Sequence, residues 1–136
     1  MNHDNQGEVI QVFLQYVRAF EQLDPRGIVS FYHEPALLIS PQGTVSLPTS
    51  AHVEKFFAPL MVDLGSQRYA RSEFPQLAEH YLGDKLAMVS GIGIWKTTTG
   101  EPLRRFGLTY TLCRTPESWR IVVAVIHDER FALSFG

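Results

Sequence analysis

Two adjacent ionisable residues, His127 and Asp128, close the last apolar run of the chain. Successive strand residues point to opposite faces, so a strand reaching this far turns one of the pair inward whatever its register. A carboxylate at the edge of an apolar pocket has its charged form desolvated, which raises its pKa and suits it to proton transfer at neutral pH. The competing reading leaves both groups in water at a strand end. Tyr16 is a phenol on an otherwise apolar helical stripe. It can donate to a carbonyl or enolate oxygen in a cavity, or satisfy its hydroxyl on a nearby backbone carbonyl as a core tyrosine. His33 follows a short helical pattern, where an imidazole can titrate near neutral pH or serve as a helix C-terminal residue. Arg104 shares strand parity with Phe106, Leu108 and Tyr110 and can reach over a pocket rim to an acidic group; beside a turn, it can equally stay solvated.

Other chemistries find little footing. The five histidines, His3, His33, His52, His80 and His127, show no HxH or HExxH spacing, and the one cysteine, Cys113, excludes a multi-thiolate site. The expectation is no metal and no cofactor. GxGxxG, P-loop and GxSxG patterns are absent. Gly91-Ile92-Gly93 lies inside a strand pattern and reads as relief for close packing or curvature.

These groups need elements to position them. Val9, Phe13, Tyr16, Val17 and Phe20 recur at helical spacing. Asp24-Pro25 starts a second, short helix, which ends near Tyr32-His33 because Pro35 disfavours helical geometry at Glu34. Ala36 to Ser40 reads as a buried strand, Pro41-Gln42-Gly43 as a turn, and Thr44 to Leu47 as the return. A third helix begins at Thr49 or Ser50, carries Val53, Phe56, Phe57, Leu60, Met61 and Leu64, bends at Pro59 and ends at Gly65. The period then changes. Gln67 to Tyr81, Lys85 to Thr97, Leu103 to Arg114 and Trp119 to Asp128 form a predicted antiparallel meander, with Gln67 to Tyr81 bulged at Phe74-Pro75 or partly at an edge. In the third of these, Arg104, Phe106, Leu108, Tyr110 and Leu112 share one face, and Arg105, Gly107, Thr109, Thr111 and Cys113 the other.

The 136 residues suit one domain spanning 1–136. With 45% hydrophobic and 19% charged residues the chain has the composition of a folded core, not of a disordered segment. Its formal charge of −2 lacks the basic excess of a nucleic-acid binder, and no apolar run approaches membrane-helix length. The opening Met1 to Gln6 is polar and does not read as a secretory leader, so the expected setting is cytoplasmic, with no nucleic acid and no membrane as partner.

The order helix-helix-strand-strand-helix followed by a four-strand meander resembles the NTF2-like superfamily, which includes ketosteroid isomerases and SnoaL-like polyketide cyclases. Phe13 to Phe20 followed by Asp24 to Tyr32 looks like that family's opening pair of helices, and Trp119-Arg120-Ile121-Val122 is similar to its last-strand entry. The fold class implied is α+β, a cone in which a curved mixed or antiparallel sheet packs on three N-terminal helices. Tyr16 matches the isomerases' oxyanion-hole tyrosine, but their base falls at Ser40 and their second Asp at about Leu108, neither of which ionises. Asp128 lies near the cyclases' late acid/base Asp, whose position aligns closer to Ile126.

The resemblance implies a cavity lined by Tyr16, Phe20, Phe31, Phe57, Met61, Ile92, Phe106, Leu108, Tyr110 and Ile126, with Arg104 at its rim, for a small apolar or weakly acidic molecule. As a cofactor-independent isomerase, cyclase or lyase, the protein would use Asp128 as base, Tyr16 as oxyanion donor, and His127 or His33 as auxiliary. The alternative is a non-catalytic ligand-binding or protein-assembly module, the reading that Ser40 and Leu108 favour. The outer, convex sheet face is the expected homodimer surface, and the apolar tail from Phe131 to Phe135 is expected to pack on the body or a partner.

Overall fold

Among the described residues, 7–135 of the computed structural model, a curved sheet of six strands carries two α-helices on its inner face. The strands are β1 (Tyr32–Ser40), β2 (Gly43–Leu47), β3 (Tyr69–Tyr81), β4 (Leu86–Thr97), β5 (Pro102–Arg114) and β6 (Trp119–His127), and their order in the sheet is β2-β1-β6-β5-β4-β3. His3 and the reading of Met1 to Gln6 lie outside the described residues. Helix α1 spans Glu8–Phe20 and buries Val9, Phe13, Tyr16, Val17 and Phe20, the stripe its spacing predicts. Gly7 at its start has φ 85° and no side chain to cap with. The cap comes instead from a distant strand: Gly7 N–H donates to Glu79 Oε2 at 2.5 Å and Ile10 N–H to Glu79 Oε1 at 3.0 Å. A carboxylate there answers both the orphan donors and the positive end of the helix dipole.

The expected second helix is replaced by two single 3₁₀ turns, Pro25–Gly27 and Val29–Phe31. Its start signal works as predicted, with Asp24 accepting from Arg26 N–H at 3.1 Å. Gly27, Ile28 and Val29 then follow, a glycine and β-branched pair that support helix poorly. Strand β1 consequently begins earlier than expected and spans Tyr32–Ser40; β2 spans Gly43–Leu47. Helix α2, Ser50–Ser66, buries Val53, Phe57, Met61 and Leu64 and continues through Pro59.

Strands β3 (Tyr69–Tyr81), β4 (Leu86–Thr97), β5 (Pro102–Arg114) and β6 (Trp119–His127) form the antiparallel meander. β1 pairs with β6 in parallel, which makes the sheet mixed. β3 lies at the edge, and its register shifts between Glu73 and Gln76, so both expected accommodations of Pro75 occur together. Register divides the strands into two faces. Phe106, Leu108, Tyr110 and Leu112 point to the helices; Thr109, Thr111, Val123, Val125, Leu37 and Ile39 point outward.

After β6 the chain makes a 3₁₀ turn at Glu129–Phe131 and lies back on the outer face. Leu133 N–H donates to the fully buried Ser90 hydroxyl at 2.8 Å, and the Phe135 ring stacks on His80 at 5.1 Å. The tail thus touches its own body through the Leu133 backbone and the Phe135 ring, while the Phe131 and Leu133 side chains stay exposed. Among the described residues no helix is long and apolar enough to cross a membrane.

Candidate functional site

The inner face and the helices enclose an aromatic cavity of about 250 Å³. Helix α1 contributes Phe13, Tyr16, Val17 and Phe20 at spacings of three and four, one face of a helix. α2 adds Phe56, Phe57 and Leu60. The sheet adds Leu38 from β1, Ser72 and Phe74 from β3, Trp95 from β4, Phe106, Leu108 and Tyr110 from β5, and Ile126 from β6. The rings brace one another: Phe20 stacks on Trp95 at 6.2 Å, Trp95 meets Phe106 edge-on at 5.4 Å, and Phe13 meets Tyr110 edge-on at 5.4 Å. Gly93 makes room for this arrangement. A Cβ there would lie 2.7 Å from the Phe106 ring.

Two of the lining side chains, Tyr16 and Tyr110, are phenols. The Tyr16 and Tyr32 hydroxyls are 2.7 Å apart and buried, and Tyr110 interacts with both. Burial pushes all three phenols well above their ordinary value of 10.0, and the neighbouring phenols raise Tyr16 further. At neutral pH they are therefore protonated donors, not bases. Tyr69 is likewise pushed up to about 12, by burial first, with Glu21 adding to the rise; its hydroxyl lies 2.7 Å from that of Ser72.

Ser40, exposed Gln42 and exposed Arg104 form the mouth. A second, charged cleft of about 360 Å³ adjoins it and shares Gln42, Arg104, Phe106 and Ile126. Pro41, Arg105, His127, Asp128 and Glu129 complete this cleft.

Of the residues singled out from sequence, the cavity brings together Tyr16, Phe20, Phe57, Phe106, Leu108, Tyr110 and Ile126, with Arg104 at the rim. Ile92 does not join them. It pairs with Gly107 and Gln76 on the outer-facing register, because the inward positions beside it are Gly91 and Gly93. Met61 is buried under α2 and Phe31 packs on Tyr16 at 5.8 Å, both behind the lining. His33 sits in β1 rather than at a helix end, its Nδ1–H donating to the Pro35 carbonyl at 2.9 Å.

The expectation for His127 and Asp128 needs correction. Neither enters the cavity. His127 is the last residue of β6 and faces outward over Gly107, where a Cβ would lie 2.6 Å from its ring. Its Nδ1–H donates to the Asp128 carbonyl at 2.7 Å, so in the neutral ring Nε2 accepts from the Thr109 hydroxyl at 2.8 Å. Asp128 lies past the strand, where alternation no longer applies, and caps the following turn. Its carboxylate takes the Arg130 guanidinium at 2.7 to 3.2 Å and the Arg130 N–H at 2.9 Å. These bonds, the side-chain ones first, lower its pKa from 3.8 to about 2, opposite to the rise a neutral-pH base needs.

Sequence reasoning missed Phe13, Val17, Phe56 and Leu60, whose signal was membership of stripes already recognised. It also missed Phe74, Ser72 and Trp95, which surround the β3 irregularity. Ser40, noted only as a missing carboxylate, lies at the mouth. Among the described residues no group of three or more His, Cys, Asp or Glu side chains is placed to hold a metal ion.

A curved mixed sheet wrapped on helices, with a cavity between them, defines the NTF2-like class. The family described as "NTF2-like protein (DUF6841)" matches residues 7–129, and the chain belongs to it. No curated protein matches the chain. Solved structures share the fold at low identity. An NTF2-like protein with a cystatin-like fold from Novosphingobium aromaticivorans superposes with TM-score 0.79 at 15% identity, over 97% of this chain and 90% of the other. Aln2 from a Streptomyces species gives 0.74 at 16% identity, covering 96% and 94%. A candidate dehydratase of the NTF2-like family from Streptomyces avermitilis gives 0.69 at 15% identity, covering 89% and 93%.

Proposed function

We propose that the described chain works as one small-molecule-binding unit, whose cavity holds a flat, largely apolar ligand with a carbonyl or hydroxyl oxygen turned to Tyr16 and Tyr110. The observation that carries this reading is an aromatic cavity of about 250 Å³ lined in part by protonated, hydrogen-bonded phenols. Apolar walls with few convergent polar groups are the usual chemistry of a small-molecule site.

The phenols favour a second reading, in which they stabilise a developing oxyanion in an isomerase, cyclase or lyase reaction. The dehydratase candidate among the structural neighbours supports that class. Against it, the cavity lining holds no carboxylate and no imidazole among the described residues. Proton transfer would need a base from the cleft at the mouth or from the substrate, so binding is the function put forward.

The test is a titration with phenylnaphthylamine, a neutral dye that fluoresces in apolar surroundings. Wild type gives a saturable rise, and Leu38→Trp, which fills the cavity beside its mouth, loses it. No rise in wild type, or an undiminished rise in the variant, contradicts the reading.

We further propose a homodimer through the outer face. The tail covers Ser90 and His80 on β4 and β3, but leaves Leu37, Ile39, Val123 and Val125 as an apolar strip on β1 and β6. A two-fold contact would set this strip against itself. Light scattering after gel filtration tests it, with Val123→Glu expected to give the monomer mass. The lone thiol of Cys113 suits a reducing, cytoplasmic setting.

A further inference from the structure

We propose that the ligand is an amphiphilic acid, its apolar body in the aromatic cavity and its carboxylate in the charged cleft, held by Arg104; this rests on the cavity reading above. The cavity and the cleft share Gln42, Arg104, Phe106 and Ile126 as lining residues, so Arg104 borders both. A molecule spanning them meets aromatic rings at one end and formal charges at the other.

Charge pairing in the cleft singles out Arg104. The Arg105 guanidinium is taken by Glu129, Nε to Oε1 at 3.0 Å and Nη2 to Oε2 at 2.7 Å. The Arg130 guanidinium is taken by Asp128 in the same two-pronged way. Each pair cancels itself. Among the described residues no carboxylate pairs with Arg104, so the cleft carries one uncompensated positive charge at its junction with the cavity. The rings below it fix its place: the guanidinium carbon lies 5.7 Å from the Trp95 ring centroid and 5.9 Å from that of Phe106. Both rings line the cavity. A guanidinium held this way has its hydrogen-bonding fork pre-organised for a planar carboxylate.

The neighbours also select the type of acid. Asp128 and Glu129 flank the same cleft and stay ionised, their pKa values lowered by Arg130 and Arg105 respectively. A phosphate dianion would bring more negative charge beside them, whereas a single carboxylate matches the single free cation. Backbone supports the lip as well. Arg104 enters β5 just after its first residues, and Phe106 packs over Gly93 of the neighbouring strand.

Naphthalene carboxylate and naphthalene carboxamide have nearly the same shape and differ in charge. Each is titrated by displacement of phenylnaphthylamine from wild type, Arg104→Met and Arg104→Lys. Wild type is expected to bind the carboxylate at least about tenfold more tightly than the carboxamide, the scale of one charge-assisted pair. Arg104→Met removes that preference, the carboxylate losing far more affinity than the carboxamide; Arg104→Lys retains part of it. Rising salt should weaken the carboxylate alone, a readout that needs no variant. Equal affinities in wild type, or a Met variant that weakens both compounds alike, overturn the Arg104 assignment while leaving the cavity reading intact. Failure of wild type to bind the dye and both compounds overturns the two together.

Discussion

The Tyr16 hydroxyl lies 2.7 Å from that of Tyr32, in a core where the two residues are 5% and 1% exposed. This contact ties the middle of α1 to the first residue of β1, across the segment where two 3₁₀ turns replace a helix. Tyr16→Phe removes one hydroxyl and leaves its partner buried with one bond fewer. The expected cost is about 1 kcal/mol, read as a lower denaturant midpoint at unchanged slope. An unchanged midpoint would mean that the phenol pair contributes nothing to stability.

The same phenols set the response to alkali. Their folded-state pKa values are raised, above all by burial, so the folded protein keeps protons that the unfolded chain releases. Their stabilisation is complete below the unfolded value of about 10 and is lost as pH climbs through the folded values, the first of them Tyr69 at about 12. Stability should therefore fall with pH above about 10, and fall less steeply in Tyr16→Phe. Equal slopes for the two proteins would contradict the assignment.

Glu79 offers a purely structural test. Its carboxylate accepts from Gly7 and Ile10, a cap supplied across 72 residues of sequence because Gly7 has no side chain. Glu79→Ala should cost about 1 to 2 kcal/mol and increase amide exchange in the first turn of α1. Loss of stability without faster exchange there would place its role elsewhere.

Periodicity explains what was legible. The α1 stripe and the alternation of β5 each repeat one face several times over, so Tyr16, Phe20, Phe106, Leu108 and Tyr110 could be assigned inward from spacing alone. Ile92 could not, because its flanking glycines carry no side chain to reveal which face they occupy; pairing with Gly107 decides it. Phe74 and Ser72 were obscured by the register shift around Pro75. His127 and Asp128 were misjudged because alternation was carried one residue past the end of β6, into a turn where Arg130 captures the carboxylate. The Arg105–Glu129 pair, 24 positions apart, follows no local spacing, so the isolation of Arg104 emerges only from the fold.

Asp128 provides the corresponding chemical test. Carbon-detected titration of its carboxyl should give about 2, with Arg130 the main cause. Its depressed value means that the ion pair is present above the ordinary carboxylate range and is lost as pH falls through the folded value. Arg130→Ala should return the carboxyl to that range. A value raised above it in wild type would restore Asp128 as a candidate base.

Methyl resonances offer a direct view of where a ligand sits. Leu38, Leu60, Leu108 and Ile126 line the cavity, whereas Leu37, Val123 and Val125 occupy the outer face of the same sheet. On addition of phenylnaphthylamine, the first group should shift saturably and the second should stay in place. Shifts confined to the outer face, or none in either group, would contradict an internal binding site.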